Sequence, residues 1–372
     1  MTIAHGRLFQ LLWRCLTVVG VFSLCTVSGY GETLEAIRQQ FEIYHRFSGE
    51  IELLSSDDTQ EIDNVLKRTE TKRLAVHNEL DKALTERKPD KNLPSPLFAE
   101  DYAAPFFHYV TVERSFARRL LQQGKPDEVI PSIRYVYRLA DELSASGSLE
   151  LRTVAALIRL QMLETAQLLL LHPLCRHEHH ELLYKILDDQ INSRTTDTVI
   201  WTRYRDEGKQ FFTDVALYGL EKMVSPNLLK EFADSRAFRE YGKVPVERVT
   251  HDQSVFDKAL EVMIESCSVP FFQRQPVLRQ LNEEIRELQG TTEEPVFAIW
   301  LLRDVSSAMR LFAQERSEIE TAYIALSLSL GNQKHYKMLN FLTGSEYDTR
   351  LITDGAMCTY EGNVKPFYVP YR

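Results

Sequence analysis

The sequence predicts an all-α protein, and three observations predict it. First, Leu149–Leu171 (LELRTVAALIRLQMLETAQLLLL) is apolar nearly all round, with only a few polar positions such as Glu150, Arg152, Arg159, Gln161 and Glu164. A helix of that character must be covered by protein on most sides. Second, the segments on either side repeat their apolar residues at spacings of three and four. Third, no convincing strand alternation is present before Gly344. The expected architecture is an irregular multi-helix array of antiparallel helical hairpins around Leu149–Leu171, followed by an irregular C-terminal tail.

Composition suits a folded chain with ample core: 372 residues, 44% hydrophobic and 26% charged. The length fits two or three domains. The formal net charge is -9, and residues 1–31 contribute only Arg7 and Arg14, so the rest is more acidic still. Such a balance excludes nucleic acid as a main partner, because phosphate binding needs a density of Lys and Arg. It also argues against adhesion to an anionic membrane surface.

Residues 1–31 are expected to be a secretory signal. Arg7 and Arg14 make a basic start, Cys15–Ser28 is uncharged and apolar, and Gly29 and Gly31 offer small residues for cleavage. The run is short of the ~20 residues a membrane span needs. An uncleaved N-terminal anchor is the alternative, reached by extending back through Arg14 to Leu8. Only then is a membrane a partner. Beyond the signal stand Cys175, Cys267 and Cys358, enough for at most one intramolecular disulfide and read as scattered small hydrophobes.

Thr33–Phe47 places Leu34, Ile37, Phe41 and Tyr44 three, four and three apart, an amphipathic helix. Ser55–Asp58 offers caps for a long helix over Thr59–Arg87, with Ile62, Val65, Leu66, Leu74, Leu80 and Leu84 on its apolar side. Lys88–Pro105 holds Pro89, Pro94, Pro96 and Pro105, a density that forbids regular helix and marks a boundary. Ala104–Gln123 is the next helix, stopped at Gly124-Lys125-Pro126. A helix over Asp127–Ala145 answers it, starting near Pro131 because proline is tolerated only in a first turn. Ser148 caps Leu149–Leu171 and Pro173 helps end it.

Further helices are expected over His179–Ser193, Thr198–Met223, Ser225 to about Phe238, His251–Ser266, Phe271–Leu288 and Pro295–Leu330. Arg239–Val249 is a second loop. The last long helix would run ~54 Å unbroken, with Gly331-Asn332 as its stop. A short helix is expected over Lys334–Leu342. From Gly344 the chain turns rich in Gly, Asp, Thr and aromatic residues. Tyr347, Tyr360, Phe367, Tyr368 and Tyr371 would anchor it to the helices as an irregular tail or a small β hairpin. The expected divisions are 1–31, a helical segment 32–87, the loop 88–105, a main helical domain 106–343 and the tail 344–372.

Two resemblances add to this. Phe116–Ala140 (FARRLLQQGKPDEVIPSIRYVYRLA) looks like one tetratricopeptide-type hairpin, with Gly-x-x-Asp-Glu at the turn; no 34-residue period surrounds it. Phe106–Ala216, from VERSFARRLLQQGKPDEVIPSIRYVYRLADEL through LRTVAALIRLQMLETAQLLL to TRYRDEGKQFFTDVA, is similar to an uncharacterised family of exported, all-helical bacterial proteins. The resemblance implies helical fold and export, and carries no activity or site residue.

Candidate chemistry is confined to two places. Cys175-Arg176-His177-Glu178-His179-His180-Glu181 gathers metal-ligand types, with His177, His179 and His180 as the ligands of a metal site. The spacing departs from the zinc-protease helix, which needs His where Glu181 stands. The plainer reading is a polar inter-helix connection. Arg203, Tyr204, Arg205 and Glu207, with Asp206 among them, could line an anion-binding or acid/base groove. The plainer reading there is a solvated face with an Arg203–Glu207 pair. Glu283, Glu284 and Glu287 read as a surface run. No Gly-rich phosphate loop, Gly-x-Ser-x-Gly elbow or Cys-x-x-Cys is present, and no cofactor is expected. The expectation is an exported, non-enzymatic binding or scaffolding module for protein or peptide partners. The alternative is a metal-dependent hydrolase or metal-binding protein using His177–Glu181.

Overall fold

The computed structural model describes residues 59–85, 104–192, 194, 196–218, 246–288, 291, 295, 297–303, 305–332, 338–363 and 365–372. Residues 1–31, the helix expected over Thr33–Phe47, most of the 88–105 loop and the helix expected from Ser225 lie outside them. The fold is all-α with one small sheet. The helices are α1 (Thr59–Thr85), α2 (Ala104–Gln122), α3 (Val129–Ala145), α4 (Leu149–Leu171), α5 (His177–Asn192) and α6 (Asp197–Tyr218). They continue with α7 (Val246–Ser266), α8 (Phe271–Leu288), α9 (Phe297–Arg303) and α10 (Val305–Ser329).

Local chemistry sets the ends. Pro105 and Pro131 both fall in the first turns of their helices, where a missing N–H costs nothing. The Ser148 hydroxyl accepts from the Leu151 N–H at 3.5 Å and caps α4. At the end of α10, Gly331 takes φ +78°, its N–H meets the Leu328 carbonyl and the Asn332 N–H meets that of Ser327, a Schellman stop.

The apolar side chains form two cores. The first gathers α1 to α5, the later half of α10 and the sheet, with Val110, Ile133, Ile158, Leu169, Leu326 and Val369 inside. The second gathers α6 to α9 and the start of α10, around Trp201, Phe212, Phe256, Leu260 and Phe312. Helix α4 enters the second core through Ala156. Gly208 lets α6 and α7 come together, because a Cβ there would overlap the Phe256 ring.

Helix α4 is central as expected and buries 14 of its 23 residues; α10 packs on it and buries 17 of its 25. Composition made α4 conspicuous because its buried residues are mostly aliphatic, whereas α10 also buries Glu315, Ser317, Glu320 and Thr321. Several other expectations are corrected. Over Pro295–Leu330 the described helical residues form α9 and α10, with Asp304 between them outside the described residues; α9 packs on α7, α10 on α4 and α5. The loop over Arg239–Val249 ends earlier, since α7 begins at Val246. Leu74 is exposed and leaves the apolar side of α1.

The helix over Lys334–Leu342 is absent from 338–342. Buried Asn340 there accepts from the N–H groups of Leu342 and Thr343 and holds a turn, with Leu339 bridged to Glu346. The tail is ordered into an antiparallel sheet, β1 (Asp348–Ile352), β2 (Gly355–Thr359) and β3 (Phe367–Pro370), in the order β1-β2-β3. Acidic residues of α10 hold it: the Tyr347 hydroxyl donates to Glu320 at 2.6 Å and that of Tyr360 to Glu318 at 2.9 Å. The Gln167 side chain of α4 pairs with both the N–H and the carbonyl of Tyr368, at 3.2 and 2.6 Å, and so acts as a neighbour to β3.

Candidate functional site

The histidines of the Cys175–Glu181 stretch do different jobs. The Nδ1 of His179 accepts from the Arg176 N–H at 2.8 Å, which leaves its Nε2–H to donate to Asp127 at 2.8 Å. Those bonds, with one from Arg176, hold the Asp127 carboxyl below its usual range. His180 is buried, and burial followed by the nearby His177 pushes it down to about 4, so it is neutral near pH 7. His177 is exposed beside Glu181. Among the described residues no three or more His, Cys, Asp and Glu side chains are grouped to hold a metal ion. The cysteines Cys175, Cys267 and Cys358 are free thiols.

The Arg203–Glu207 stretch is similarly divided by its helical turn. Arg203 pairs with Glu207 at 2.8 Å and donates to the Ser146 carbonyl, tying α6 to the α3–α4 connection. The Tyr204 hydroxyl is buried and donates to the Leu301 carbonyl at 2.9 Å. Arg205 lies 3.8 Å from Asp206. Arg203 and Tyr204 thus tie α6 to two different neighbours, while the Arg205–Asp206 contact stays within α6.

The densest polar cluster lies elsewhere, where the two cores meet. Arg152 and Arg159 are seven apart on α4 and therefore share a face. That face meets Glu315 of α10, which is fully buried. Arg152 reaches its Oε2 at 2.8 Å, Arg194 the same oxygen at 2.7 Å, and Arg159 its Oε1 at 3.2 Å. Arg159 also donates to Asp141 at 2.6 Å, Gln190 at 2.7 Å and Ser144 at 3.1 Å. The Arg152 guanidinium stacks on Phe312, 4.3 Å from the ring centre.

Burial opposes ionisation of Glu315, but Arg152, Arg194 and Arg159 outweigh it and hold the carboxyl well below the usual carboxylate range. Arginine keeps its proton at any ordinary pH. Neither partner is therefore poised to shuttle protons near pH 7, and the cluster acts as a lock between cores. Sequence reasoning noted Arg152 and Arg159 only as interruptions of an apolar helix. Their seven-residue spacing was the available signal. Glu315 gave none.

A second feature is apolar. Leu168, Leu171 and Leu174 stand three apart at the C-terminal end of α4 and just beyond it, and are 41%, 46% and 55% exposed. Their row is flanked on one side by the end of the chain, through Gln167 with Tyr368 and His172 with Arg372. On the other it meets the turn after α2, where Leu174 packs beside Gly124. Helix α4 alone among the described residues is long and apolar enough to cross a membrane, and 67% of its apolar window is buried in protein. No family model, curated protein or solved structure matches the chain.

Proposed function

We propose that this is an exported, non-enzymatic binding module that docks an apolar helix on the leucine row of α4. The row carries the reading. Leu168 and Leu171 stand one turn apart at the end of α4 and Leu174 follows in the connection beyond it; each is at least two-fifths exposed, and exposed large aliphatic side chains of this kind can receive an amphipathic helix. The locked cluster below supports it, because a helix fixed through Arg152 and Arg159 presents the row on a rigid base. The basic start and the apolar, signal-like Cys15–Ser28 run support a location outside the cytoplasm.

The test is a benzophenone amino acid placed at Leu171 in the full chain and irradiated in the producing cell. Adducts to a helical protein segment are expected, and Leu168→Glu with Leu174→Glu should abolish them. Recovery of unmodified chain alone would sink the reading. Elemental analysis runs beside it. Stoichiometric zinc lost with His177→Ala and His180→Ala would favour the metal-dependent alternative.

A further inference from the structure

We infer that β1 is a pairing edge through which two copies of the chain join, β1 against β1, so that their three-stranded sheets become one. This surface is separate from the leucine row and does not depend on it. The hydrogen-bond phase of the sheet supplies the argument. Successive residues of an antiparallel strand turn their N–H and carbonyl to opposite sides. Tyr368 of β3 turns both to Gln167 of α4, so Phe367 and Val369 are the residues bonded to β2, at Cys358 and Ala356. Gly355, Met357 and Thr359 therefore bond to β1, at Ile352, Arg350 and Asp348. Thr349 and Leu351 are left with their N–H and carbonyl directed away from β2. Among the described residues nothing bonds to those groups.

The two edges of the sheet are thus treated differently. The β3 edge is closed by Gln167, and the strand ends in Pro370, which has no N–H to offer. Strand β1 carries no proline, lysine or bulge, the usual guards of an open edge: its five residues pair one to one with β2. Leu351 and Ile352 on it are 55% and 38% exposed.

Charge names the occupant. Asp348 and Arg350 share one face of β1 and meet at 2.6 Å. A second β1 laid antiparallel, with Thr349 opposite the partner's Thr349, sets Asp348 against the partner's Arg350 and Arg350 against the partner's Asp348. The two Thr349 residues then exchange backbone hydrogen bonds. The charge pairs fall at the alternate positions, where facing side chains come closest. Slipping one copy by two residues either way sets Arg350 against Arg350 or Asp348 against Asp348, which opposes pairing. One strand therefore holds both halves of a self-complementary, two-fold contact, and a second copy of this chain is what fits it.

Sedimentation velocity of the purified full chain over a concentration series tests this. Wild type should pass from monomer to dimer. Asp348→Arg and Arg350→Asp should each stay monomeric alone, because each sets like charges across the join. Mixed in equal amounts they should recover the dimer, which also requires both variants to be folded. Thr349→Pro removes an outward N–H and no bond to β2, so it should be monomeric with wild-type melting. Leu168→Glu with Leu174→Glu should leave the dimer intact. A wild type that stays monomeric throughout, a dimer that survives Thr349→Pro, or charge variants that do not associate on mixing would each overturn the inference. So would a dimer lost with Leu168→Glu and Leu174→Glu, which would move the contact to the leucine row.

Discussion

Arg152 and Glu315 stand 163 residues apart in the chain and 2.8 Å apart in the fold, both closed off from solvent. The pair marks the seam between two apolar cores: Phe312 and Ala313 belong to one, and Ile319 begins the other nearly two turns later on α10. A buried charge pair is weak evidence for net stability, but removing one partner strands the other.

Glu315→Gln is therefore expected to cost ~3–5 kcal/mol, because three guanidinium groups lose their shared carboxylate in a dry site. Arg152→Met should cost less, since Glu315 keeps Arg159 and Arg194 and the methionine can still cover Phe312. Urea unfolding of both variants checks the order. A Glu315→Gln protein as stable as wild type would remove the cluster from the account of the fold.

Acid should act in two stages. His180 has a folded pKa lowered from 6.5 to about 4, so the unfolded chain binds more protons between those values. Its contribution is whole above 6.5 and is lost as pH falls toward 4. Glu315 also has a lowered folded pKa, so its contribution is present above the ordinary carboxylate range and disappears only in stronger acid. Melting temperatures across pH 7 to 4 should fall in wild type and flatten in His180→Gln. A parallel decline in the variant would place the titration elsewhere.

Gly208→Ala should destabilise by roughly 1–3 kcal/mol, the usual effect of overpacking. An alanine in an exposed helix would stabilise instead, by up to about 1 kcal/mol. The sign therefore reads whether Phe256 truly lies over the α6 backbone. Thermal melts of the single variant suffice.

Cleavage near Gly31 is the expected processing. Intact mass of protein recovered from the producing cell should lack residues 1–31, with the protein in the soluble exported fraction. A retained N-terminus and recovery only with membranes would make the chain membrane-anchored, with the leucine row held near a bilayer.

Most helices were legible in the sequence because what makes them is local. The Ser148 cap, the apolar period of α4, the prolines in first turns and the Gly331 stop all act within a few residues. The sheet was harder to see. Strand β1 is mostly exposed and β2 mostly buried, so neither shows a clean alternation, and the contacts that order them come from α4 and α10. The expected helix over Lys334–Leu342 failed at 338–342 for the same reason: Asn340 spends its side chain on a turn that only its buried setting makes favourable.

The sequence by itself determined the fold class, several helix ends such as the Ser148 cap and the Gly331 stop, and α4 as a core element, since periodicity and capping are properties of neighbouring residues. Tertiary structure decided which charges are buried together. Arg194 looks in sequence like any solvated arginine and Glu315 like any surface glutamate, and the spacing of Arg152 and Arg159 on α4 names no partner. They become a lock only where α4 and α10 cross between two cores, because the energy of a charge depends on the solvent that other segments remove from it.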